Sequence, residues 1–228
     1  NARRRPPVDP AWLKVPQAAD PVVQRTMPVV QGGPTPGVNF AGMAFTGPRP
    51  PDPIGDVGPN HYVQMVNTNI AIFNRTGTLL AGPVAISSVW AGFPAPCSTQ
   101  NLGDPVVVYD RAADRWIVSQ FHQIPNGICV AVSQTPKPVS GGWFLYDFTG
   151  LSSFPDYFKI GVWPSAYFIG ANATNNRAIA LNRTAMLAGA PTTAIIRTTA
   201  GVGLHTMLMP ADLDGPNLPP ANAPGIFY

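Results

Sequence analysis

Glutamate is missing from this 228-residue chain: all eleven acidic residues are aspartates, and lysine occurs only at positions 14, 137 and 159. Charged residues make up 11% of the chain, against about a quarter in an ordinary soluble domain. With the strongest helix formers other than Ala and Leu so scarce, helical bundles, coiled coils and charged disordered tails are excluded. No apolar run approaches the roughly 18 residues a membrane-spanning helix requires. Two cysteines and three histidines (His61, His122, His205) are all the chain holds, and none falls in C-x-x-C or H-E-x-x-H spacing. P-loop, G-x-S-x-G and G-x-G-x-x-G patterns are absent as well. The net charge of +3 is matched by Arg3-Arg4-Arg5 alone. The pI near 9.1 therefore gives no warrant for nucleic-acid binding, which needs a basic face interleaved with stacking aromatics.

What the chain does have is 45% hydrophobic residues, 10% aromatics, 22 glycines and 28 prolines. That is enough apolar material for a sizeable core, cut into short pieces by turn residues. Residues 1–50 stand apart as a Pro-rich segment with sparse apolar anchors such as Trp12, Val22, Val23 and Phe40. They read as an extended strap. From residue 51 to 209 the texture changes to short β-type runs. Strands are expected at His61–Val66, Asn69–Asn74, Thr78–Ala81, Pro105–Tyr109, Arg115–Phe121, Gly127–Ser133 and Trp143–Phe148. Four more are expected at Lys159–Trp163, Ala166–Ala171, Arg177–Asn182 and Thr193–Thr198. Residues 210–228 return to a Pro/Asn-rich, irregular texture, and His205–Met209 reads as the opening of a further group.

The strand groups begin alike: Ile54-Gly55-Asp56, Leu102-Gly103-Asp104 and Phe154-Pro155-Asp156. A period near 50 residues with about four strands per period is the signature of β-propeller blades. The fold class expected is all-β, a partial propeller of about three four-stranded blades, with a β-sandwich as the alternative. Three blades leave open edges, which call for the rest of a propeller or another subunit as partner.

The runs PPDPIGDVGPNHYVQMVNTNIAIFNRTGTLL, GDPVVVYDRAADRWIVSQF, ICVAVSQTPKPVSGGWFLYDF and FPDYFKIGVWPSAYFIGAN resemble the N-terminal part of large secreted bacterial proteins of unassigned function. The resemblance implies sialidase-like propeller repeats, export, a pair of cysteines in the positions found here, and a chain continuing past residue 228. It implies no reaction.

Cys97 and Cys129, 32 positions apart, admit a structural disulfide, two buried thiols, or a metal or redox pair. A disulfide would place the chain in a secreted, extracellular or periplasmic setting. No signal-peptide pattern opens the sequence, so a processed product is expected. The sequons at Asn74, Asn172 and Asn182 are candidate glycosylation sites. If Asp56, Asp104 and Asp156 each open an innermost strand, they converge near an axis, where Ca²⁺ or another polar ligand would relieve their repulsion. The simpler reading is that each caps its own turn. Asp110, Asp114, Arg115 and Trp116 read as structural residues of a blade hairpin. His122 has the chemistry of a base but no evident orienting partner.

Three functions are open to such a chain. The first is a secreted, non-enzymatic binding or scaffold segment; an enzyme is the less favoured reading, and no catalytic residue is assigned. The second is a carbohydrate-active enzyme, sialidase-like or lyase-like, with an axial site and a glycan ligand. Both carboxyls of a glycosidase would then have to be aspartates, and the S-x-D-x-G-x-T-W box of sialidases is absent. The third is a surface-lattice or filament protein locked by its strap.

Overall fold

A computed structural model describes residues 37–172, 177–198, 208–215 and 217–228 of the chain. Contacts divide the chain into two compact units, residues 1–37 and 38–228. The strap therefore lies outside the described residues up to position 36, as do His205, Thr206 and Met207 of the expected further group. All the described strands belong to the second unit.

The chain is all-β. Among the described residues, twelve strands form three four-stranded antiparallel sheets, each a simple meander in chain order. Sheet 1 holds β1 (Pro53–Val57), β2 (His61–Val66), β3 (Asn69–Asn74) and β4 (Leu79–Ala85). Sheet 2 holds β5 (Val106–Asp110), β6 (Arg115–His122), β7 (Gly127–Ser133) and β8 (Trp143–Thr149). Sheet 3 holds β9 (Asp156–Val162), β10 (Tyr167–Asn172), β11 (Arg177–Leu181) and β12 (Ala194–Thr198). Among the described residues the helical content is a 3-10 turn at Ile86–Trp90 and one turn and a half of α1 (Arg183–Leu187), whose Ala185 amide donates to the capping Asn182 side chain.

Two differences from the sequence expectation have local causes. Pro and Gly depress the strand propensity of Pro53–Val57, yet it pairs along its whole length with β2. β4 runs on to Ala85, with register shifts opposite Ile70 and Ile72 where Gly82 adopts a left-handed φ of 83°. A Cβ at Gly82 would strike the Ile70 carbonyl.

Sheet 2 lies between the other two. Val107, Tyr109, Trp116, Val118, Cys129 and Ala131 on one face join Val63, Met65, Ile70 and Ile72 of sheet 1, with Ile86 and Trp90 filling in. The other face, with Ile117, Phe121, Ile128, Val130, Val132, Tyr146 and Phe148, meets Phe158, Ile160, Tyr167, Ile169 and Leu181 of sheet 3. This explains why β7 reads Gly-Ile-Cys-Val-Ala-Val-Ser with every residue buried: a strand covered on both faces loses polar alternation. Between sheets the backbones approach closest at the first strands, β1 with β5 and β5 with β9.

The outer faces of sheets 1 and 3 are covered by the chain's own irregular segments. Over sheet 1, the Phe40 ring meets Tyr62 and Phe73 at 6.0 and 5.5 Å. Nearby, the Met43 amide donates to Gln64 Oε1 at 2.7 Å. Over sheet 3, Met209 and Tyr228 exchange backbone hydrogen bonds of 2.9 and 3.1 Å. Phe227 packs on Phe168 at 5.5 Å, and Trp163 Nε1 donates to the Ala223 carbonyl at 3.0 Å.

Candidate functional site

Strand register shows which residues of the three sheets correspond. Val57 pairs with Tyr62, Tyr109 with Trp116 and Val162 with Tyr167. Five residues upstream of these stand Asp52, Asp104 and Tyr157, all in the left-handed region with φ of 40°, 43° and 50°. The equivalent of Asp104 in sheet 1 is thus Asp52, and the Gly-Asp pairs that look alike in the sequence occupy different heights. The Asp104 carboxylate accepts the Tyr157 amide, and the charges of Asp52, Asp156 and Lys159 act on it. Burial first, then Asp52 and Asp156, push its pKa above the usual 3.8. Burial likewise lowers the Lys159 ammonium against the pull of Asp104 and Asp52. Its Nζ sits 3.8 Å from the centre of the Tyr157 ring.

Asp56 lies within β1, four residues beyond Asp52, which stands just before the strand. Its oxygens accept the amides of Val57 and Tyr109, both at 2.7 Å, which ties sheet 1 to sheet 2. Asp212 makes the corresponding bond to Val162, the sheet-3 equivalent of Tyr109, also at 2.7 Å. Among the described residues, the only group of three or more His, Cys or Asp whose ligand atoms gather closely is Cys97, His122 and Cys129. Asp56, Asp104 and Asp156 do not form an oxygen cage.

Among the described residues the deepest charge is Asp110, fully buried at the end of β5. Arg183 of α1 grips it with Nε to Oδ2 at 2.6 Å and Nη2 to Oδ1 at 2.9 Å. The Tyr167 hydroxyl donates to Oδ2 at 2.9 Å, and the Ala113 amide to Oδ1 at 3.0 Å. Burial and the Asp110 charge raise the Tyr167 pKa, so its phenol stays a donor. This node borders a cavity of about 290 Å³, whose other walls include Arg111, Val162, Trp163, Leu213 and Leu218. In the adjoining hairpin, Asp114 accepts from the Tyr109 hydroxyl and has a φ of 56°. Arg115 donates to the Ala113 and Asp114 carbonyls, and Trp116 is buried against Tyr109 at 4.8 Å.

Cys97 and Cys129 form a disulfide. Beside it the fully buried His122 places Nε2 2.8 Å from Asp147 Oδ1. The orienting group that sequence reasoning missed is therefore Asp147, reached through register: Cys129 pairs with Gln120 on one side and Asp147 on the other. Asp52, Asp147, Tyr167, Arg183 and Asp212 all escaped the sequence, because their partners lie on other strands. Of the sequons, Asn74 Oδ1 accepts three hydrogen bonds within its own hairpin turn, from Thr76 and Thr78. Asn172 and Asn182 are exposed, and Asn182 caps α1. No helix among the described residues is long and apolar enough to cross a membrane. Comparison with protein-family models, curated proteins and solved structures finds no match to this chain.

Proposed function

We propose that the chain is a non-enzymatic binding or scaffold module of a secreted assembly, built as three blades of a β-propeller. The blade reading is supported by the wedge of the sheets: backbones approach closest at the first strands β1, β5 and β9. Farther out, Trp90, Trp143, Phe144 and Tyr146 fill the gaps. A flat sandwich would bring whole sheets equally close. Extracellular placement is supported by the Cys97–Cys129 disulfide.

The observation that carries the scaffold reading is how the two flanks end. The segments over sheets 1 and 3 present Val38, Phe45, Leu218, Ile226 and Tyr228, each more than half exposed. Apolar side chains on both flanks suit a protein partner. Meanwhile Asp56, Asp110 and Asp212 are occupied by backbone amides or by Arg183. Native mass against the 24.1 kDa of the single chain tests this. A complex that dissociates when Phe45 and Ile226 become Ser supports it; a strict monomer with no partner in its native secretions sinks it.

A second reading rests on Asp104, whose raised pKa and neighbours Asp52 and Asp156 provide the paired carboxyls of glycoside hydrolysis. Turnover of a polysaccharide panel, abolished by Asp104→Asn, would favour the enzyme over the scaffold.

A further inference from the structure

The strongest unexplained chemistry in the fold surrounds the disulfide. Both sulfurs and a ring nitrogen of His122 gather within 4.8 Å of one another. All three residues are buried. Nε2 of His122 is engaged with Asp147, whereas Nδ1 is buried with no hydrogen-bond partner. On the same face, Gln120 stands opposite Cys129 and donates from Nε2 to the Gln100 carbonyl at 2.9 Å. Its Oε1 is also buried without a partner. Two orphaned acceptors on the face of β6 that carries the disulfide are costly in a purely apolar setting. The two sulfurs and the imidazole match the donor set of a thiolate–imidazole metal centre, with a carboxylate on the far ring nitrogen as such centres have.

We infer that the reduced form of this chain binds one Zn²⁺ through Cys97, Cys129 and Nδ1 of His122, so that disulfide and metal are alternative occupants of one site. A dithiol reductant transfers two electrons and two protons to the disulfide and closes into its own disulfide. Zn²⁺ then displaces two protons from the resulting thiols and forms two Zn–S bonds, with a third bond from the Nδ1 lone pair. Thiolates bound at about 2.3 Å in a tetrahedral centre stand roughly 3.8 Å apart. The sulfurs must separate on reduction, and Cys97 lies in a turn segment where such a shift disturbs no strand pairing. Asp147 is a positioning residue: by accepting from Nε2–H it keeps the Nδ1 lone pair free. Two thiolates and an imidazole favour Zn²⁺ over Ca²⁺ or Mg²⁺. The site is thus separate from the aspartates near the first strands. It holds metal before oxidative closure, or whenever a reductant reopens the pair.

The test is Co²⁺ titration of the whole chain, oxidised and dithiol-reduced, under anaerobic conditions. The reduced chain is expected to take up one Co²⁺, with thiolate charge-transfer bands in the near ultraviolet and the visible d–d bands of a tetrahedral ion. Zn²⁺ should then bleach both. The oxidised chain should show neither. Asp147→Asn should weaken metal affinity about 10- to 100-fold while the oxidised fold keeps its near-ultraviolet spectrum. A folded, reduced chain without thiolate–cobalt bands overturns the inference, and so does Asp147→Asn binding with unchanged affinity. If reduction alone unfolds the chain, Zn²⁺ must restore the near-ultraviolet spectrum of the oxidised form; a chain that stays unfolded with Zn²⁺ overturns the inference equally.

Discussion

Arg183, on the first turn of α1, holds the fully buried carboxylate of Asp110 through two hydrogen bonds of 2.6 and 2.9 Å across 73 residues of sequence. The pair joins the end of β5 in sheet 2 to the helix that comes after β11 in sheet 3. Removing one partner of such a pair leaves an uncompensated buried charge, which costs about 3–5 kcal/mol. Arg183→Met should therefore lower stability to urea by about that amount. Adding Asp110→Asn should recover part of the loss, since no charge is then stranded. Denaturation of the four species of the cycle measures the coupling. A loss under about 1 kcal/mol for Arg183→Met would mean that water reaches the carboxylate and the pair contributes little.

Most strands were legible because alternation and turn residues are local signals. His61–Val66, Asn69–Asn74 and Gly127–Ser133 stand where the pattern puts them. Pro53–Val57 was not legible as a strand, since its Pro and Gly argue against one and only pairing with β2 makes it one. The grouping of carboxylates was half legible. Alike Gly-Asp pairs suggest that Asp56 matches Asp104, whereas register matches Asp52 to Asp104. The two hairpins differ in length, with four residues between Val57 and Tyr62 but six between Tyr109 and Trp116, so an ungapped alignment of the sequence does not reveal it. Arg183 for Asp110 and Asp147 for His122 carry no such signal, because tertiary pairing over 73 and 25 residues leaves no trace in spacing.

Asp104 gives a prediction with a definite sign. Burial, Asp52 and Asp156 raise its folded pKa above the 3.8 of an unfolded carboxyl. The folded state then holds the proton more tightly than the unfolded one. Its contribution to stability is present in full below pH 3.8 and is lost as pH rises through the folded value. Asp104→Asn keeps an oxygen for the Tyr157 amide and suits the left-handed φ of 43°. The variant should melt a few degrees higher than the parent at pH 7, with the advantage vanishing in acid below the unfolded carboxyl's pKa. Thermal melts of both proteins across pH decide the matter. A variant that melts lower than the parent at pH 7 would show that the negative charge is held favourably.

The disulfide closes a loop of 32 residues, for which chain entropy gives about 3–4 kcal/mol. Replacing both cysteines with Ala should cost that much, and it also opens a small void between sheets 1 and 2, where both residues are buried. Equilibrium unfolding of the double variant beside the oxidised parent supplies the number. Equal stability would imply that the unfolded chain keeps residues 97 and 129 together without the bond.

Covering of sheet 3 by the C-terminal segment depends on two glycines. Gly161 and Gly170 point at that segment, and a Cβ on either would run into the carbonyl oxygens of Ala211 and Leu208 respectively. Backbone atoms cannot swing aside as a side chain can, so Gly170→Val should lift the segment without entering the core. The face of sheet 3 toward sheet 2, with Ile160, Tyr167 and Ile169, is untouched by the change. The expected result is faster amide exchange at Met209, Ala211 and Tyr228, which hold the hairpin by donating to the Tyr228, Ile226 and Met209 carbonyls respectively, with β10 and β11 still protected. The Trp163 indole, which donates to the Ala223 carbonyl, should lose that partner and shift its emission. If the scaffold reading holds, lifting this segment also weakens assembly, because Ile226 and Tyr228 leave the flank together. Exchange that quickens throughout sheet 3 instead would show that the segment is part of the core and not a cover over it.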